Sequence, residues 1–194
     1  MIKLDQQYWQ ERYTKNSIGW DLGKVSTPLK NYINQLTDKD ISILIPGAGN
    51  AHEAEYLFNS GFKNITILDI ASSPIKYAKE KIALPCSNFV QQDYFDHNGK
   101  YDLILEQTFF CALEPCFRES YIKKTHQLLN DNGRLAGVLF NFENKLNGPP
   151  FGGIITEYIK LFESHFKIII MESCYNSVKE RQDKEIFIKL MKKK

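Results

Sequence analysis

Cysteine is sparse and unpatterned in this chain. Its four cysteines, Cys86, Cys111, Cys116 and Cys174, form no CxxC pair, and no Cys/His group has zinc-finger spacing. That sets aside a disulfide framework and a zinc finger. No metal ligands are assigned, and the thiols read as reduced cysteines of a cytoplasmic protein. Long apolar runs are lacking too. No stretch approaches the roughly 18 residues of a membrane span, and the opening "MIKLDQQYWQERYTKN" is too polar for a secretory signal. Neither sign of charge dominates: 25 Lys and Arg face 23 Asp and Glu, for a net charge of +2. A nucleic-acid partner therefore has no electrostatic footprint, and Lys192, Lys193 and Lys194 read as a solvated tail. Repeats and low-complexity linkers are absent, and 194 residues suit one domain, expected as a monomer.

What is present is an alternation of short β-rich runs and helical patterns. "ISILIP" (41–46), "NITILD" (64–69), "SNFVQQD" (87–93) and "YDLILEQ" (101–107) read as strands, followed by "RLAGVLFNF" (134–142), "FKIIIMES" (166–173) and "KEIFIKLMK" (184–192). "AHEAEYLFNSG" is a helix stopped by Gly61, "SSPIKYAKEKI" one opened by serines before Pro74, and "PCFRESYIKKTHQLLNDNG" one closed by Asn132-Gly133. The alternation predicts βαβ units and a mostly parallel sheet, with continuous apolar strands covered on both faces and the last two strands antiparallel. Seven strands with that ending predict an α/β, Rossmann-like methyltransferase sheet rather than a six-stranded dehydrogenase sheet. Two helical segments, near 5–15 and 27–37, precede it and flank "SIGWDLGKVSTP", a loop too apolar to be idle surface.

"ILIPGAGNAHEAEYL" is an apolar strand that turns into a helix through Gly47 and Gly49. Glycine there permits positive φ and close approach of backbone to a ligand. Taken alone the turn also fits a tight βα connection without a ligand, since the third glycine position is His52. Asp69 ends the next strand, twenty residues after Gly49, where an acid bonds ribose hydroxyls. A helix-capping role for Asp69 is less favoured, because Ser72 and Ser73 lie closer to the following helix. Asp93 closes the third strand beside Tyr94 and Phe95, a place for a carboxylate to meet an adenine amino group while a ring covers the base. Glu53 and Glu55 in the first helical turn compete with a pyrophosphate, so the turn leans towards S-adenosylmethionine over a dinucleotide.

"GWDLGKVSTPL", "IPGAGNAHEAEYL", "LDIASSPIKYA", "LEQTFFCALEP" and "GPPF", in that order, resemble the thiopurine methyltransferase-like family, most of all its halide/thiol methyltransferase branch. The resemblance runs from about Tyr8 to Met191. It implies a class I methyltransferase fold with an N-terminal lid (1–38) on a Rossmann-like core (39–194). It also implies transfer of a methyl group from S-adenosylmethionine to a soft nucleophile: a thiol, thiopurine, hydrosulfide, thiocyanate or halide. Trp9, Tyr13 and Trp20 match the branch's lid aromatics that touch the cofactor. Gly47 and Gly49 fall near its methionine part, Asp69 at the ribose, Asp93 with Tyr94 at the adenine, and Gln107 where the branch can have a tyrosine facing the cofactor. Glu106 matches an acid of the branch. Ala51 replaces a glycine of the motif, and Phe140 falls where some relatives have a tyrosine near the reacting atoms.

A displacement of this kind, by an incoming anion on a sulfonium, asks for a dry site with fixed geometry and no dedicated base. No catalytic triad is expected, and none stands at recognisable spacing. Phe109 and Phe110 read either as walls of the site or as core. Phe110 and Phe140 are the expected acceptor contacts, and "NGPPFGG" (147–153) is expected to shape the acceptor pocket. Two other readings remain: a heteroaromatic-thiol methyltransferase, and a module that binds the cofactor without turnover.

Overall fold

A computed structural model describes residues 3–143 and 147–194. The sheet has seven strands: β1 (Ile43–Pro46), β2 (Ile65–Asp69), β3 (Phe89–Gln91), β4 (Tyr101–Gln107), β5 (Leu129–Phe140), β6 (Phe166–Ser173) and β7 (Glu185–Lys192). Their spatial order is β3-β2-β1-β4-β5-β7-β6. β7 lies antiparallel between β5 and β6, and the other neighbours are parallel. This is the expected mostly parallel sheet with an antiparallel ending.

Period-two alternation divides the strands between two cores. Ile43, Ile45, Ile67, Leu103 and Leu105 pack on one side, with Leu29 and Ile33 of α2 (Thr27–Ile33), Ala54 and Leu57 of α3 (His52–Asn59), and Ile75 of α4 (Ser72–Lys81). Leu44, Leu68, Ile104 and Leu135 face the other way, onto Tyr121 and Ile122 of α5 (Arg118–Leu128) and Tyr158 and Phe162 of α6 (Ile155–Phe162). Each such buried aliphatic or aromatic side chain contributes roughly 1.5–3 kcal/mol of transfer free energy. α1 (Gln6–Thr14), by contrast, buries no residue of its own.

Two local expectations need correction. The helix before β5 does not run to Asn132-Gly133. It ends at Leu128, and β5 begins at once. Asn132 takes a left-handed φ of 62° where the pairing with β4 shifts register between Tyr101 and Leu103. A Cβ on Gly133 would lie 2.8 Å from the Asn130 carbonyl oxygen of its own strand and 3.0 Å from the Tyr101 carbonyl oxygen of β4, so this glycine serves a tight local turn and a close strand approach and not a helix stop. The second correction concerns the start of α4. Neither Ser72 nor Ser73 caps it with its own side chain. The cap arrives from α1: Gln10 Oε1 accepts from the Ser72 and Ser73 backbone N–H groups at 3.0 and 3.1 Å.

Candidate active site

β1, β2, β3 and β4 end on one edge of the sheet, and the turns after them build the site. After β1, Gly47, Gly49 and Ala51 all take left-handed φ, at 56°, 53° and 56°. A Cβ on Gly47 would collide with the Phe109 ring, and one on Gly49 would lie 3.2 Å from the Tyr13 hydroxyl. The glycines thus admit the aromatic rings that close over the turn. At the end of β2, Asp69 accepts from the Gly49 N–H at 3.0 Å and the Ala71 N–H at 2.9 Å. The second bond closes a local turn ahead of α4, whose cap is Gln10, and Asp69 combines it with a place on the cavity wall. Burial pushes its pKa up to about 6, against the pull of those backbone donors.

The N-terminal segment folds over this edge. Trp20 is its centre: Trp9 and Tyr13 meet its ring edge-to-face at centroid distances of 5.5 and 5.8 Å, and the Arg12 guanidinium lies 5.6 Å from it. The Asp21 carboxylate beside it accepts from the Gly23 N–H at 2.6 Å, from His52 Nε2 at 2.8 Å and from the Asn50 amide. Burial alone would raise the Asp21 pKa, but these donors hold it below the usual carboxylate value. The segment is therefore tied to the glycine turn as well as to α4.

After β4 the chain makes a strained turn. Thr108, a β-branched residue, takes a φ of 59°. Glu106, fully buried, holds the turn: its Oε1 accepts from the Phe109 and Phe110 N–H groups at 2.8 and 2.9 Å, and its Oε2 from the Tyr121 hydroxyl at 2.8 Å. Desolvation still pushes its pKa up to about 7. Gln107 accepts from the Ser26 hydroxyl at 2.7 Å, and its Nε2 is buried with no partner among the described residues.

One cavity of about 670 Å³, a size suited to a drug-sized ligand, gathers most of the expected residues. Trp9, Tyr13 and Trp20 line it from the N-terminal segment; Gly47, Gly49, Asp69, Asp93 and Gln107 line it from the strand ends. Asp93 Oδ1 accepts from the Phe95 N–H at 2.8 Å. Phe140, Pro149 and Pro150 line the same cavity.

One expected contact, Phe110, is corrected, and a second, Tyr94, lines the cavity with little exposed surface. Phe110 is 1% exposed and does not line the cavity. Its ring packs against Tyr121, Tyr158 and Phe162, because Glu106 turns the backbone so that Phe109 faces the site and Phe110 the core. Tyr94 reaches the cavity wall but is only 4% exposed. It stacks on Tyr121 at 5.5 Å, and its hydroxyl pairs with Thr125 at 2.7 Å, so it has little face left to cover a base. Phe95, half-buried on the same wall, is better placed for that task.

Sequence reasoning missed Arg181. It sits in a charge-rich run between the last two strands, yet it is 8% exposed and lines the cavity. It donates to the Trp20 carbonyl at 2.6 Å and to Glu185 Oε1 at 3.4 Å, with its guanidinium 5.5 Å from the Phe140 ring. Cys111, also on the wall, has its thiol pKa pushed up by burial and is no thiolate nucleophile.

The thiopurine S-methyltransferase (TPMT) family matches residues 4–194. The chain belongs to this family. Like its other members it is an S-adenosylmethionine-dependent methyltransferase. Among its relatives are probable thiol methyltransferase 2 of Arabidopsis thaliana, 26% identical over 79% of this chain and 70% of that one, and thiocyanate methyltransferase 1 of the same plant, 26% identical over 94% and 83%. The fold is similar to that of the 1,6-didemethyltoxoflavin-N1-methyltransferase of Burkholderia thailandensis. That similarity has a TM-score of 0.78 at 15% identity and covers 97% of this chain and 87% of that one. The TPMT-family cavity here fits S-adenosylmethionine on its own geometry. Asp69 stands at a strand end beside a left-handed glycine turn, and Gln107 Nε2 is buried with no partner among the described residues.

Proposed function

We propose that this family member methylates a small soft anion: a thiolate, hydrosulfide, thiocyanate or halide. We infer that it works as a cytoplasmic monomer of one domain, 1–194, with residues 1–38 as its lid and no nucleic-acid partner. The observation that carries the acceptor class is a buried guanidinium, Arg181, which lines the cavity beside the Phe140 ring and is paired with Glu185 behind it. Its two hydrogen bonds leave N–H groups of a five-donor fork over, and an anion entering an apolar pocket needs such a partner.

The cofactor supplies a methyl group on a cationic sulfur. Asp69 orients the ribose, and Asp93 accepts from the adenine amino group, with Phe95 against the base. Trp9, Tyr13 and Trp20 exclude water, and a ring face near the sulfonium is worth about 0.5–2 kcal/mol. Arg181 holds the incoming anion. The anion would take the methyl group as the methyl–sulfur bond breaks, with S-adenosylhomocysteine as the neutral leaving group; opposite charges would cancel, so a water-poor site would favour the reaction and no base would be required. Glu106 and Cys111 fix the walls and move no proton.

The test is Arg181→Met beside Arg181→Lys. Methionine should raise KM for an anionic acceptor by about tenfold or more. S-adenosylhomocysteine affinity should stay within about twofold, and lysine should recover part of the loss. An unchanged KM, or cofactor affinity falling in step with it, would remove Arg181 from the acceptor site. Proline and aromatic walls also suit a flat heteroaromatic thiol, and turnover with ring thiols alone would favour that reading.

A further inference from the structure

Glu53 has no role in the chemistry so far. It lies in the first turn of α3, is 7% exposed, and lines the cavity. Its one hydrogen bond among the described residues is a long one, from the Ser26 N–H to Oε1 at 3.5 Å. No lysine or arginine pairs with it among the described residues. A carboxylate in that state is costly unless a cation joins it. Desolvation raises its pKa, the sign of a buried acid without a counter-ion.

Ser26 links Glu53 to a second incomplete group. Its backbone N–H meets Glu53, while its hydroxyl donates to Gln107 Oε1 at 2.7 Å. That second bond fixes the Gln107 amide so that Nε2, a donor, has no protein partner. One serine thus sets a buried acceptor and a buried donor side by side on the wall of one cavity. A ligand carrying both an ammonium and a carboxylate completes both.

We propose that Glu53 is the counter-ion of the cofactor's α-ammonium group, with Gln107 Nε2 donating to the adjoining carboxylate. The assignment rests on the reading of this cavity as the S-adenosylmethionine site. It gives the amino-acid end of the ligand its own subsite, separate from the ribose contact at Asp69.

Calorimetry with three ligands tests it. S-adenosylhomocysteine carries the whole amino-acid end, its deamino analogue lacks only the ammonium, and 5′-methylthioadenosine lacks the whole end. The unmodified protein should lose about tenfold or more in affinity when the ammonium is removed from the ligand, as for a charge-assisted hydrogen bond. Glu53→Gln should lose a similar factor for S-adenosylhomocysteine, keep 5′-methylthioadenosine within about twofold, and no longer distinguish the deamino analogue. Equal losses for all three ligands would make Glu53 a brace for the lid and overturn the proposal. So would an unmodified protein indifferent to the ammonium, a comparison that needs no variant to fold. Failure of the unmodified protein to bind any of the three would instead overturn the cofactor reading itself.

Discussion

Two buried carboxyl groups give this enzyme a pH dependence that can be assigned residue by residue. Asp69 has its pKa raised to about 6 by burial, and the proposed ribose contact needs its ionised form as the acceptor. Affinity for S-adenosylhomocysteine should be level above about pH 7 and fall towards tenfold per unit well below pH 6. Asp69→Asn should bind weakly at every pH. A flat titration of the unmodified protein from pH 5 to 8, about that range, would contradict the ribose contact. Glu106 works on stability. Its folded pKa of about 7 exceeds the ordinary 4.5, so the folded chain keeps a proton that the unfolded chain releases. The contribution of Glu106 to stability is therefore greatest below about pH 4.5 and declines until about pH 7, by on the order of 3 kcal/mol. Glu106→Gln keeps an oxygen for the Phe109 and Phe110 N–H groups and should flatten that slope in denaturant titrations; an unchanged slope would clear Glu106 of it. The Asp69 and Asp93 positions were legible because strand ends and glycine turns are local patterns. Arg181 and Glu53 were not, since their meaning depends on burial by residues distant in sequence.

At the scale of elements, the strands were readable because runs such as "ILIP" and "YDLILEQ" are apolar on both faces, and only a covered sheet uses such runs. Helix ends were less so. The sequence near α4 offers two serines as caps, while the true cap is Gln10, 62 residues away from Ser72. Gln10 also accepts from the Ser72 hydroxyl at 3.0 Å and donates to the Ser73 hydroxyl at 2.5 Å. Since α1 buries no residue, this cluster is a large part of what holds the helix down, and α4 starts just beyond Asp69. Gln10→Ala should speed S-adenosylhomocysteine release by about tenfold, followed by the fluorescence of Trp9 and Trp20, and leave α4 short of a cap worth about 1 kcal/mol. Gln10→Glu retains an acceptor at a helix N-terminus and should restore most of the slow release. An unchanged rate in Gln10→Ala would show that aromatic packing alone retains the lid.

The molecule as a whole joins an ordinary sheet edge to a lid that supplies three aromatic rings to the same cavity. No described helix is long and apolar enough to cross a membrane. The sheet was legible, down to the antiparallel β6–β7 ending, because alternation of βα units constrains topology so strongly, while α6 was not read from the sequence. The acceptor was not legible, because a pocket's chemistry depends on which side chains meet in it, and here Arg181 comes beside Phe140 from forty-one residues further along the chain. The decisive measurement is S-adenosylhomocysteine formation from S-adenosylmethionine by the purified protein. Hydrosulfide, thiocyanate, iodide, an aryl thiol and a thiopurine would be offered in parallel. Turnover with the small anions, lost on raising KM in Arg181→Met, is the expected result. Turnover with the ring thiols alone, or none with any acceptor despite tight S-adenosylhomocysteine binding, would contradict methyl transfer to a small soft anion.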